Sequence, residues 1–566
     1  MAGDDREPAT SMSPDHRRDT NAGQPTPRRS LHRSILIVVT CTLAMIINVS
    51  NTTFATISLP TIGREFNVPV AKLQWVVSAY SLAAGCLLLF FGRVADLHGR
   101  KRLLIIGLSW LIASALGCAF SNNLTVFAII RGFQGVGSAA VIPSVVGILS
   151  RSFPPSRARA IAFTTFAAGA PVGGAIGSII GSVLTEFTPK TWRSTFYMAA
   201  GLAAMDLILA IVSIEKDGRS PEIDRRIDWI GTVLVTSGLI LVFYVLASGE
   251  VASKRWATPH IIALLVIAPI LLCAFVLWQF RLERVREHPD FSPGWLTPPP
   301  LMKPSFWARA HGRMAAIMFI GMLTWCTFIG WNFWLQLYYQ RFLGIGPILT
   351  SARLMPLVVA GILCNAIVAM VVSRLPVVYL LGFGTLMASC AALLFATIIP
   401  SASYWAFGFP AASLVAVGTE FTFSSGTLFI AGTSLPHEQS VGGALFQTMI
   451  HLGTTMGVTI TTVVFDKALR SQLKSVNLPL DAPQEQLPRD RLLKCYHLAQ
   501  WTAFAFGITA VLVSVTCFWG VGIVGHRPPG NDKDKNKNQE RKSEPQAAPQ
   551  IDPVEGTSRP QTQERR

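Results

Sequence analysis

Polar residues along most of this chain are confined to short breaks between apolar blocks of roughly twenty residues, the length a helix needs to cross about 30 Å of hydrocarbon. The blocks fall near 34–58, 73–92, 103–121, 125–149, 158–184, 194–214, 228–248, 260–280, 313–339, 348–373, 377–399, 403–432, 441–465 and 499–524. Backbone polar groups in lipid must be satisfied within the segment, and these runs are too long and too evenly apolar for barrel strands. The pattern predicts an all-α membrane protein with fourteen transmembrane helices. The first block follows a polar leader and is too long for a signal-peptide core, with no small-residue cleavage pattern, so it is expected to remain as the first span.

Composition strengthens this reading: 51% of the 566 residues are apolar and only 14% charged, more apolar surface than a soluble chain could hide. The formal charge of +17 raises the question of nucleic acid. Yet the basic residues lie between spans and in the tails, with no interleaved aromatic and basic surface and no zinc or nucleic-acid motif, which argues against that partner. An even number of spans puts both termini on one side. Loops on that side, counted with Arg159 and Arg313 at their borders, hold 33 of the 48 Lys and Arg against 13 opposite, Arg131 and Arg353 lying deeper in spans, so both termini are read as cytoplasmic. Eight of the nine cysteines sit in apolar blocks and only Cys495 in a connection; no metal or redox spacing is present, and no disulfide can join the external loops.

The N-tail (1–33) and C-tail (525–566) are rich in Pro, Asp, Lys, Gln and Arg and have almost nothing to bury, so they are expected to be disordered in the cytoplasm. The connection 281–312 carries Pro298-Pro299-Pro300 and reads as a stiff cytoplasmic linker. Asn123-Leu124-Thr125 is a glycosylation sequon in a connection the charge count places outside.

The densest motif is Gly92-Arg93-Val94-Ala95-Asp96-Leu97-His98-Gly99-Arg100-Lys101-Arg102, a short turn between the second and third spans. Gly92 and Gly99 suit close helix approach and a tight reversal, Asp96 can accept hydrogen bonds from a facing helix end, and Arg100 and Lys101 can pair with acids or lipid phosphates. This turn resembles the cytoplasmic loop motif of the major facilitator superfamily. In span 4, Arg131-Gly132-Phe133-Gln134-Gly135-Val136-Gly137 is similar to that superfamily's buried-arginine motif. A charge so deep should face the bundle interior or a water-filled cavity, with bracing of helices as the alternative. Gln134 shares its helical face.

Span 5 contains Gly169-Ala170-Pro171-Val172-Gly173-Gly174-Ala175-Ile176-Gly177 and continues to Gly181. It resembles the Gly-Pro motif that the superfamily's antiporters carry. Gly169, Gly173, Gly177 and Gly181 form one smooth stripe for close helix packing, and Pro171 can bend the helix; packing is the first reading and a mechanistic role the second. Span 1 ends Asn51-Thr52-Thr53-Phe54-Ala55-Thr56-Ile57-Ser58-Leu59-Pro60. This is similar to a motif of the fourteen-span drug:proton antiporter family, with Asn51 where that family has aspartate. An amide takes up no proton near neutral pH, although Asn48 and Asn51 together can bind a polar group. Leu73-Gln74-Trp75 opening span 2, Trp192-Arg193 before span 6 and Ile227-Asp228-Trp229 opening span 7 extend the resemblance over nearly the whole membrane region.

A proton-driven carrier would then need another titratable group, and three are candidates. Glu420 in span 12 is read first as functional, His451 in span 13 is evenly balanced between coupling and structure, and Asp206 in span 6 is read first as structural. Gln447, one turn before His451, and Trp331 and Asn332 in the aromatic and amide-rich span 9 are candidate cavity residues.

The resemblance implies two six-helix bundles, 34–214 and 313–524, with two inserted helices in 215–280. A central site between the bundles would reach each side in turn as they rock. It further implies a monomeric, proton-coupled exporter of a small organic molecule, a drug or secondary metabolite, in the plasma membrane or, alternatively, the vacuolar membrane. No enzyme, cofactor or metal is expected, because no nucleophile, base and orienting group cluster in a loop. Two rivals stand beside the exporter: a carrier of a small polar nutrient or ion such as ammonium or borate, and a transporter-like receptor.

Overall fold

The computed structural model describes residues 30–153, 157–215, 224–249, 255–288, 294, 296–371, 374–434, 439–479 and 484–520. The tails expected to be disordered lie outside these residues, apart from 30–33, where Ser30 caps the first helix and accepts a bond from the Arg33 N–H.

Among the described residues fourteen helices are long and apolar enough to cross a membrane. Spans 1–6 are Leu31–Ile57, Val70–His98, Arg100–Ala119, Leu124–Ser152, Arg157–Phe187 and Arg193–Ser213. Spans 7 and 8 are Trp229–Ser248 and Pro259–Glu287. Spans 9–14 are Arg313–Leu337, Pro347–Val371, Val377–Ala396, Tyr404–Thr433, Gln439–Ser475 and Arg489–Phe518. Two short helices, Leu59–Glu65 and Pro304–Ala308, lie in connections.

Spans 13 and 14 run about ten residues past the apolar windows at their external ends, because hydropathy locates the hydrocarbon core and a helix need not stop there. The extension of span 13 carries an Asp466–Arg470 ion pair one turn apart. The reversal between spans 2 and 3 is sharper than the motif suggests: span 2 stays helical to His98, and Gly99 alone turns the chain, at φ 106° and ψ 133°. That positive φ is a conformation side chains strongly disfavour, so the reversal depends on glycine there. Gly92 behaves differently. A Cβ there would meet only Pro143, at 3.8 Å, so no close approach depends on this glycine.

Spans 1–6 and 9–14 form two bundles, and their apolar cores are arranged asymmetrically. Toward the termini each bundle keeps its own core, around Leu104, Val145 and Ala210 in one and around Met318, Phe429 and Phe446 in the other. At the opposite end a single core joins both, from Leu59, Leu73 and Trp192 across to Trp331, Trp334 and Tyr338. The glycine stripe seats span 5 on span 1: a Cβ on Gly173 would come within 2.6 Å of the Ile46 carbonyl, and one on Gly177 within 2.6 Å of Thr53 Cβ. Spans 7 and 8 pack on each other and lie along the seam between spans 2 and 13, where Phe243 meets Leu82 and Cys86.

The 281–312 connection is no free spacer. Span 8 continues through its first residues, and the chain beyond is pinned back on that helix. Gln279 Oε1 accepts from the Met302 N–H at 3.4 Å, and Glu283 accepts from the Ser305 N–H and hydroxyl.

Candidate functional site: a central cavity

A cavity of about 1890 Å³ lies between the bundles. Its mouth is formed by Asp96, His98, Arg100, Arg102, Arg151, Arg225 and the Pro299-Pro300-Leu301 segment, all on the side of the termini. Beyond the far end lies the joined core. With the termini in the cytoplasm, the cavity opens to the cytoplasm and is shut toward the outside.

Its walls are largely apolar and aromatic, including Phe163 and Phe166 from span 5, Trp325 and Phe328 from span 9 and Phe423 from span 12. Hydroxyl groups, among them those of Thr52, Thr56, Ser81, Ser178 and Ser424, are scattered between them. Asn48, Asn332, Gln336, Asn365, Glu420, Gln447 and His451 punctuate the middle of the wall. Glu420 enters from span 12 with the Asn365 side chain of span 10 as its polar neighbour, and no cation among the described residues pairs with it. His451 enters from span 13 at the point where that helix crosses span 2, and a Cβ on Gly85 would come 2.8 Å from its own Cβ.

Three residues expected in the cavity lie outside it. Asn51 and Gln134 are buried and bonded to each other, Gln134 Nε2 donating to Asn51 Oδ1 at 3.1 Å. Trp331 is buried in the joined core, edge-on to Phe395. Helical periodicity puts Trp331 and Asn332 a hundred degrees apart, so only one of the neighbours can face the same surface.

Arg131 is likewise fully buried away from the cavity. Its Nε donates to the Val76 carbonyl at 3.0 Å and its Nη1 to Gln134 Oε1 at 2.6 Å, while the Tyr80 ring lies 4.6 Å from the guanidinium carbon. Hydrogen bonds thus connect Arg131 through Gln134 to Asn51. One turn away, Asn48 Oδ1 accepts from Tyr80 Oη at 2.5 Å and Ser138 Oγ at 2.6 Å. Asn48 is the end of this polar region that reaches the cavity. Asp206 stands apart, fully buried among spans 1, 3 and 6 with neither oxygen bonded.

At the mouth, Asp96 Oδ1 accepts from Arg100 Nε at 3.2 Å and Nη2 at 2.8 Å, and Arg100 Nη1 reaches across to the Gly147 carbonyl of span 4 at 2.6 Å. Lys101 donates to the Ile211 carbonyl at the end of span 6. The motif therefore ties spans 2, 3, 4 and 6 together at their cytoplasmic ends.

Sequence inspection missed Asp224, which pairs with Arg226 and Arg286 at 2.7 and 2.8 Å while its carbonyl accepts from Arg93 Nη2 at 2.5 Å. The hydrogen bonds from Arg226, with both guanidinium charges, hold its carboxyl down to about 2. It missed Asn365 too, although a lone amide in an apolar span is a readable signal. Among the described residues no group of His, Cys, Asp and Glu is placed to hold a metal ion.

Two helical bundles around a central cavity open at one end define a membrane transporter, not an enzyme. Residues 41–227 match the family model of the Major Facilitator Superfamily. The chain is 29% identical to MFS-type transporter 1 of Pyricularia oryzae, over 86% of this chain and 84% of that protein. It is 26% identical to the low affinity ammonium transporter of Saccharomyces cerevisiae (77% and 82%) and 28% identical to puromycin resistance protein pur8 of Streptomyces alboniger (79% and 84%). Among solved structures, the fold matches a bacterial homologue of the human lysosomal transporter Spinster with a TM-score of 0.58 at 13% identity, covering 87% of this chain and 98% of that one. Over residues 41–227, and in the relatives it matches, the chain is similar to the major facilitator superfamily.

Proposed function

We propose that this transporter exports a bulky, amphipathic organic molecule from the cytoplasm, coupled to proton entry. The cavity carries the reading: about 1890 Å³ lined by aromatic and aliphatic side chains with scattered amides suits a drug-sized molecule. A bare ammonium or borate would leave most of that space to water. The resistance protein among the relatives supports export, while the ammonium transporter shows that related chains are named for small ions as well.

Coupling falls to Glu420. It lines the cavity, so substrate and proton can compete for the same space, whereas Asn51 cannot titrate and Asp206 is buried and does not line the cavity. His451 lines the same wall and is the second candidate. Export by a monomer in the plasma membrane completes the proposal. Comparing extracellular and intracellular metabolites with and without the gene tests it. Retention of an amphipathic compound in cells lacking the protein is the expected result, and loss of uptake of a small ion with no retained compound would favour the nutrient carrier.

A further inference from the structure

The outer end of the cavity is closed by more than apolar packing, because three hydrogen bonds cross from one bundle to the other there. Gln340 Nε2 donates to the Ile57 carbonyl at 3.0 Å, Ser351 Oγ donates to the Ser178 carbonyl at 2.8 Å, and the Ile348 N–H donates to Glu186 Oε2 at 3.1 Å. Gln340 sits in a π-helical turn, Tyr338–Phe342, which ends span 9; such turns interrupt regular helices where a side chain must be re-aimed.

The third bond differs from the others in carrying a charge. Glu186 closes span 5 in the first bundle, and Ile348 is the second residue of span 10 in the other, where the backbone N–H groups have no helical acceptor. A hydrogen bond from such a free N–H to a charged carboxylate is stronger than one between neutral groups. A Cβ on Gly346 would sit 3.3 Å from Glu186 Oε2, so the carboxylate fits closely against this turn. Glu186 itself is exposed, on the face opposite the cavity mouth.

Among the described residues no charged group forms an ion pair with it, Lys190 in the turn after span 5 included. On the elements packed against span 5, Arg353 of span 10 lies against Tyr339 and Tyr404, and Arg193 of span 6 pairs with Glu65. Asp206 of span 6 and Arg131 of span 4 are buried inside the first bundle, while His32 and Arg33 of span 1 and Arg151 of span 4 lie at the cytoplasmic end. In the neighbouring π-turn, Arg341 packs over Gly63.

We propose that Glu186 is a proton-operated latch on the outer gate: ionised, it clamps the start of span 10 to the end of span 5, and protonation from outside releases it. Gln340 and Ser351 hold the same seam without sensitivity to pH. The inference rests on alternating access and not on the identity of the cargo.

The test reads access directly, without substrate. Thr56 lines the cavity and is 4% exposed. A Thr56→Cys variant, with the exposed Cys273 and Cys517 changed to serine, is labelled by a membrane-impermeant maleimide added outside intact cells. Rates are normalised to an Asn122→Cys variant in the exposed loop between spans 3 and 4, which removes the reagent's own pH dependence. Every variant, the parent included, also carries Glu420→Gln, so that the proposed coupling proton does not contribute; in the parent, normalised labelling rises as external pH falls. Glu186→Gln labels about tenfold faster, the loss expected for a hydrogen bond to a charged group, and its pH response disappears. Glu186→Asp keeps the response. Ile348→Pro removes the donor within the first helical turn, where no intrahelical bond is lost, and releases the gate in the same way, which keeps the test decisive if Glu186→Gln does not accumulate. Parental rates with an intact pH response in either variant would overturn the latch. A failure of the export reading leaves these rates untouched, so the two can be told apart.

Discussion

Glu420 and Asn365 meet in the cavity wall from the packed spans 12 and 10, and among the described residues no cation pairs with the acid. An ionised carboxylate left unpaired there is expensive, so it is expected to be protonated in one access state and deprotonated in the other. Glu420→Gln should abolish transport driven by a pH gradient while leaving substrate binding or downhill exchange intact, measured in proteoliposomes with and without an imposed gradient. Uphill transport with unchanged pH dependence would make Glu420 structural and shift attention to His451. Asp96 acts at the mouth, steering Arg100 onto the Gly147 carbonyl. Asp96→Asn should insert and accumulate normally yet slow transport several-fold, and normal flux would show that the motif does not gate this carrier. Asn123 is exposed and uses only its Oδ1 to cap span 4, at 2.8 Å from the Val126 N–H. A tag inserted in this loop should be reached only from outside; cytosolic access would overturn the orientation read from charge.

Between elements, the seam of spans 1 and 5 permits a contrast within one helix. Gly173→Leu pushes a side chain into the Ile46 carbonyl, whereas Gly174 has no neighbouring atom within 4 Å of its Cβ position. The first substitution should destabilise by about 1–3 kcal/mol or more through overpacking, seen as lost abundance and a lower Tm in detergent. Gly174→Ala should leave both unchanged. This glycine periodicity was readable in the sequence because small residues have one dominant use between membrane helices. The spans were readable for a similar reason, since hydrocarbon thickness dictates their length. The cavity wall was harder: Asn332 and Trp331 are neighbours in sequence, yet one faces the cavity and the other the core. Which side faces inward depends on the rotation of each helix against partners distant in sequence, and nearly uniform apolar composition leaves little moment to reveal it. The Glu186–Ile348 contact joins residues 162 positions apart through a backbone N–H, and a backbone donor leaves no trace in side-chain pattern.

Across the whole molecule, Asp224 gathers Arg93 of span 2, Arg226 before span 7 and Arg286 at the end of span 8 into one cytoplasmic knot. Because its carboxyl is held down to about 2, whatever stability the knot adds is present above the ordinary carboxylate range and lost only as pH falls toward that value. Cytosolic acidification to about pH 5 should therefore leave it intact. Asp224→Asn should instead loosen the inserted pair and its linker, read as several-fold faster trypsin cleavage near Arg286 and Lys303 at neutral pH; unchanged cleavage would show that the knot holds nothing in place.

The joined core at the outer end also bears on how the transport rate responds to temperature. Opening to the outside must part span 9 from span 1 and the Leu59–Glu65 helix and wet part of the apolar surface of the joined core that is dry in the inward-open state. Hydrating apolar surface raises heat capacity by about 0.45 cal/K/mol for each Å² exposed. The outward step therefore has an enthalpy that changes with temperature, and where that step limits turnover an Eyring plot of the rate should curve, while the reverse opening, with its narrower separate cores, should give a straighter line.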